Sequence, residues 1–154
     1  MLIDRRNLMS LLPVVLAQGA LVSAVSESSE AQTAPVSNVL PSAVYSFDSL
    51  PVKSSPASTG RAILKGKLAT GESIEVHETT LPPGGAPHPP HHHEHTEMWL
   101  IREGTVEITI LGKAQRVGPG GLAFVKSNEE HGITNPTDKP TTYFVVAVGP
   151  GADA

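Results

Sequence analysis

From Ala43 onward no stretch of the chain sustains a helical apolar period. Short β-branched runs are instead cut at close intervals by glycine and proline. The clearest run, Thr105-Val-Glu-Ile-Thr-Ile110, alternates strictly and puts Val106, Ile108 and Ile110 on one face. Glu103-Gly104, Gly112-Lys113, Gly118-Pro-Gly-Gly121 and Asn135-Pro136 supply turn chemistry between runs. This punctuation predicts strands over 43–47, 61–68, 73–81, 97–102, 105–111, 114–117, 122–125, 132–135 and 142–148. Many short strands at even spacing predict an all-β sandwich or barrel.

The 154 residues suffice for one such domain. With 39% hydrophobic and 17% charged residues the composition is globular. A formal charge of −4 without a lysine or arginine block argues against nucleic acid and against an anionic membrane surface. Cysteine is absent, so a disulfide framework, a thiolate metal site and a cysteine nucleophile are excluded. Any metal must sit on nitrogen and oxygen.

The N-terminal segment reads as an address. Arg5-Arg6 precedes an apolar run, Leu8 to Ala24, that is broken by Pro13, Gln18 and Gly19 and closes on Val22-Ser-Ala24. This is the pattern of a secretory signal of residues 1–24, too short and interrupted for a comfortable membrane span. The paired arginines resemble a twin-arginine export signal. The expected location is therefore periplasmic or secreted, with no stable membrane insertion after processing. Residues 25–42 are small and polar, and read as a flexible leader before a domain of residues 43–154.

The densest chemistry is His91-His-His-Glu-His-Thr-Glu97, which runs straight into the apolar Met98-Trp-Leu-Ile101. On an unbroken strand His91, His93, His95 and Glu97 share one face. Imidazole and carboxylate together suit first-row divalent metals. His77 lies on the face opposite Ile74 and Val76, which reads as a surface position. His88, within Pro87-His-Pro-Pro90, leads toward the cluster, and Trp99 shares the parity of Glu97. Tyr143 shares a face with Val145 and Ala147. Asn135 and Glu130 are the nearest candidates to orient a ligating imidazole, with a turn-closing asparagine and a solvated turn acid as the equally weighted reading.

Two motifs together are specific. Gly85-x5-His91-x-His93-x3-Glu97-x6-Gly104 resembles the first motif of the cupin family. Gly120-x5-Lys126-x-Asn128-x2-His131-x3-Asn135 resembles the second, with Lys126 and Asn128 where the family usually has proline and glycine. Asparagine tolerates positive φ, so Asn128 preserves the turn. The resemblance covers roughly Tyr45 to Val148. It implies a single antiparallel double-sheet jelly-roll barrel and a metal held by His91, His93, Glu97 and His131. His95 matches no ligand position and is placed at the rim or behind the ligands, while His92 and Glu94 point away.

Four ligands on an octahedral ion leave two positions for water, dioxygen or a chelating molecule. The resemblance implies dioxygenase, decarboxylase, isomerase or lyase chemistry on a small oxygenated molecule, and a tendency to form homodimers. No catalytic residue beyond the ligands is legible. The alternative is a non-catalytic extracytoplasmic protein binding a small sugar, carboxylate or metal. Nitrogen and oxygen sites intrinsically prefer copper and zinc. Folding before export favours manganese or iron, with nickel, zinc and copper compatible with the same donors.

Overall fold

A computed structural model describes residues 39–154. The segment expected to be a signal, and most of the leader, lie outside the described residues. A 3-10 turn, Phe47–Ser49, is followed by nine strands. These are β1 Val52–Ser54, β2 Thr59–Lys67, β3 Ser73–Leu81, β4 Thr96–Glu103, β5 Val106–Ile110, β6 Lys113–Val117, β7 Leu122–Val125, β8 His131–Thr134 and β9 Thr141–Val148. They form a six-stranded sheet, β1-β2-β3-β9-β4-β7, and a three-stranded sheet, β6-β5-β8. Every pairing between these nine strands is antiparallel, as the jelly-roll expectation requires. Among them, no helix is long and apolar enough to cross a membrane.

The expected strand over 43–47 does not form. Residues 43–46 are exposed, and the chain enters the turn at Phe47. Phe47 lies under two guanidinium groups, Arg61 at 4.2 Å and Arg102 at 5.0 Å. These contacts fix the segment without a strand partner. The short strand β1 follows it, where none was expected. At the end of the leader, Val39 bridges Lys67 and Leu40 N donates to Lys67 O at 2.8 Å.

Side chains from both sheets build the core: Leu81, Trp99, Ile101, Val106, Ile108, Val125, Ile133, Tyr143 and Val145. Each large apolar side chain buried there contributes about 1.5–3 kcal/mol. Alternation in β5 holds, with Val106 and Ile108 buried. In β9, Thr141, Tyr143, Val145 and Ala147 face in.

Two turns fix the path around the site. Gly104 has φ +75°, and a Cβ there would sit 2.9 Å from Thr141. The first motif therefore needs glycine at its end both for conformation and for space. Asn128 adopts φ +63°, the left-handed conformation expected of it at a glycine position.

Candidate metal centre

The histidine run is not one strand. β4 begins only at Thr96, and His91 makes an isolated bridge to His131. Shared strand parity thus does not gather the donors. Main-chain docking does. His91 N donates to His131 O at 2.9 Å, His131 N returns a bond to His91 O at 2.8 Å, and Asn128 N reaches His93 O at 2.8 Å. Lys126, the other departure from the family pattern, pairs with Glu129 at 3.0 Å within this loop. Three peptide hydrogen bonds thereby pin the loop before β8 onto the segment before β4.

The rings consequently converge. Their centroids are 4.7 Å apart for His91 and His131, 4.6 Å for His93 and His131, and 5.2 Å for His91 and His93. One donor atom from each of these three lies within 4.8 Å of the others. Glu97 Oε2 is 2.8 Å from His93 Nε2 and 3.8 Å from His131 Nε2. All four residues named from the motifs are thus brought together. His92 and Glu94 are exposed, as expected.

The hydrogen-bond chemistry of this cluster fits a cation. His93 Nδ1 faces His95 O at 2.9 Å, and His131 Nδ1 faces Glu129 O at 2.7 Å. A carbonyl only accepts, so both Nδ1 atoms carry hydrogen. His93 Nε2 lies at hydrogen-bond distance from Glu97 Oε2, while His131 Nε2 stands 3.8 Å from that oxygen. His131 Nε2 and His91 Nδ1 are buried without a partner. Acceptors crowded this closely need a positive charge between them, and nitrogen with carboxylate oxygen is the donor set of a first-row divalent ion.

Of the two readings of Asn135 and Glu130, the turn roles hold. Main-chain carbonyls hold His93 and His131, rather than the side chains of Asn135 or Glu130. Asn135 is 1% exposed and ties its own loop to the end of β3, donating to Leu81 O, Pro82 O and Lys139 O while accepting from Thr137. Glu130 is exposed. His95 stacks on His93, with centroids 3.5 Å apart, and with His93 and Glu97 forms a second group of donors. Burial holds the His91 imidazole at a pKa of about 4, helped by His88, His131 and His93. Burial lowers His95 as well.

A cavity of about 410 Å³ opens beside the cluster, lined by Glu97, His131, His95, Trp99 and residues of β3 and β9. Tyr143 lies in its wall; burial first, then the charge on Glu97, raises its pKa. His88 stands at the rim, 4.2 Å from His91.

One wall was misread from sequence. Ile74 and Val76 do not mark the inner face of β3. Ser73, Glu75, His77, Thr79 and Leu81 do, so His77 lines the cavity instead of the surface. Leu81, which is fully buried and shares parity with His77, was the signal available in the sequence.

Comparison with known proteins agrees with this architecture. Residues 77–147 match the family model described as a cupin domain. A mannose-1-phosphate guanylyltransferase of Klebsiella pneumoniae is 31% identical over 49% of this chain, and an L-ectoine synthase of Bordetella petrii is 36% identical over 40% of it. The matched segments span only 16% and 47% of those proteins. An RmlC-like cupin from Shewanella frigidimarina superposes with a TM-score of 0.60 at 17% identity, over 73% of this chain and 96% of that one.

Proposed function

Since residues 77–147 match the model of a cupin domain, we propose that the chain is a metalloenzyme that holds one divalent transition metal on His91, His93, Glu97 and His131 and acts on a small oxygenated organic molecule. The observation that carries this reading is the convergence of His91, His93, His131 and Glu97, with His131 Nε2 and His91 Nδ1 buried without a hydrogen bond, on the wall of an open cavity. Four protein donors leave coordination positions that a substrate can take, which distinguishes a working site from a closed structural one. A bound cation supplies Lewis acidity to an oxygen of the substrate.

The protein's own residues do the rest. The Glu129 and His95 carbonyls fix ring orientation, and Trp99, Val145 and Ala147 give the cavity an apolar flank that excludes water. Dioxygenase, decarboxylase, isomerase and lyase chemistry all fit an open site of this kind. Manganese or iron is the favoured metal, because a chain folded inside the cell takes its metal before meeting copper.

Export rests on Arg5-Arg6 and the run to Ala24. N-terminal sequencing of the secreted form, expected to begin at Val25, tests it. A homodimer is supported by the outer face of β4 and β7. There Leu122 and Phe124 are 54% and 55% exposed, in register with Leu100 and Met98. Light scattering tests that.

For the central claim, the protein is purified after cytoplasmic expression and its metal content measured, with oxygen uptake and product formation screened on enediols, flavonols and diketones. Near-stoichiometric metal and a metal-dependent turnover are expected. Activity unaffected by complete metal removal would refute the reading. A ligand bound and recovered unchanged across the whole screen would favour the binding-protein alternative.

A further inference from the structure

The inward face of β3 is chemically unusual for a barrel wall. Glu75, His77 and Thr79 point into the cavity while Ile74 and Val76 point away from it. Desolvating a carboxylate and an imidazole on an inner face is costly unless the space they meet is used by polar groups. The pair is also open to that space, with side chains 38% and 31% exposed. Small residues stand opposite His77 and Thr79 on β2, where Ala62 pairs with His77 and Gly60 with Thr79, while Lys65, the partner of Glu75, sends its Nζ to Ala154 O.

The pair has a definite polarity. His77 Nδ1 is buried without a hydrogen bond, and its nearest charged neighbour is Glu75 Oε1 at 3.5 Å. The carboxylate favours hydrogen on that nitrogen and leaves Nε2 as the unsealed, accepting edge of the ring. Glu75 contributes carboxylate acceptors beside it. The wall therefore asks for donors. A carboxylate is repelled by Glu75, and a cation is disfavoured by Lys53 in the same lining. A hydroxyl suits both acceptors without charge.

The sheet register sets how far this wall lies from the metal ligands. Glu75 and Glu97 both pair with Ala147, from opposite sides, so they are two strand spacings apart, about 10 Å. His77 and Trp99 flank Val145 in the next inward row. A linear molecule of several carbons held at the His91–Glu97–His131 end reaches β3 with its far end.

Building on the metal-site reading above, we propose that Glu75 and His77 form a second, distal subsite that binds the hydroxyl-bearing tail of a ligand whose head chelates the metal. The ligand class is a polyhydroxylated acid rather than an aliphatic hydroxy acid.

The test is isothermal titration calorimetry of the metal-loaded full chain with D-gluconate and with 2-hydroxyhexanoate. These share the chelating head and chain length and differ in the hydroxyls of the tail. The wild type is expected to prefer gluconate by about tenfold, as two good hydrogen bonds would give. Glu75→Gln and His77→Phe should each bring that preference to within about twofold, with metal content and 2-hydroxyhexanoate affinity unchanged. Equal binding of both acids by the wild type, a preference that survives both substitutions, or no binding of either acid would overturn the subsite. Loss of metal from the wild type would instead sink the proposed function. A metal-bearing wild type that binds both acids alike would remove only the subsite.

Discussion

His91 and His131 exchange both of their main-chain hydrogen bonds, at 2.9 and 2.8 Å, so the peptide groups that carry two candidate ligands are themselves a bonded pair. The candidate metal centre is thus built on backbone pairing between its two segments. Ring placement follows from it, because each imidazole starts from a fixed Cα and His131 is further held through Nδ1.

His131→Gln keeps the bridge, which is made by peptide groups, and replaces the imidazole nitrogen at the buried position. Metal affinity should fall by at least about 10²-fold, beyond the loss usual for a residue that only orients a ligand. Metal titration checks this, and an unchanged far-ultraviolet circular dichroism spectrum would show that the barrel persists.

Acid should destabilise the metal-free protein in a defined window. His91 takes up its proton near 6.5 when unfolded but only near 4 when folded. Between those values the unfolded chain binds a proton that the folded one refuses, so stability falls as pH drops from 6.5 to 4. Above 6.5 this group costs nothing. His95, also lowered, acts in the same direction. Urea midpoints at pH 7.5 and 5 measure the effect, and a higher midpoint at pH 5 would contradict it.

Gly60→Val should leave the fold intact and spoil the cavity. A Cβ at Gly60 meets nothing nearer than Glu78 O at 3.9 Å and Lys53 O at 4.0 Å. Restricting the unfolded chain should add about 0.4–1 kcal/mol of stability. The same side chain intrudes on the lining beside Thr79, so gluconate binding should weaken while metal content holds. Thermal melts and calorimetry separate the two effects.

Asn135→Ala removes an amide that serves three main-chain carbonyls around Leu81, Pro82 and Lys139. Leaving buried acceptors unpaired should cost about 2–3 kcal/mol. Glu130→Ala, at an exposed turn, should change stability by less than about 0.5 kcal/mol. Chemical denaturation of the two variants tests whether Asn135 is structural and Glu130 dispensable.

Much of the barrel was legible because local chemistry dictates it. Val106, Ile108 and Ile110 alternate as a half-buried strand must, Gly104 stands where only glycine fits, and Asn128 takes the positive φ its side chain tolerates. The spacing of His91, His93 and Glu97 also named donors without any knowledge of the fold. What failed were readings in which one strand was asked to explain a three-dimensional fact. The run from His91 to Glu97 shares no continuous strand. The apolar pair Ile74 and Val76 suggested the wrong inner face for β3, because a cavity lets the polar side of a strand face inward.

The sequence alone determined the antiparallel strand-and-turn pattern and the kinds of atoms offered to a metal, since strand alternation, turn conformation and ligand type are properties of neighbouring residues. Only the tertiary structure decided that His131 docks on His91, that carbonyls rather than Asn135 orient the rings, and that Glu75 and His77 face the same cavity as Glu97. Those relations depend on sheet register and on loop-to-loop hydrogen bonds between segments distant along the chain, which no local pattern encodes.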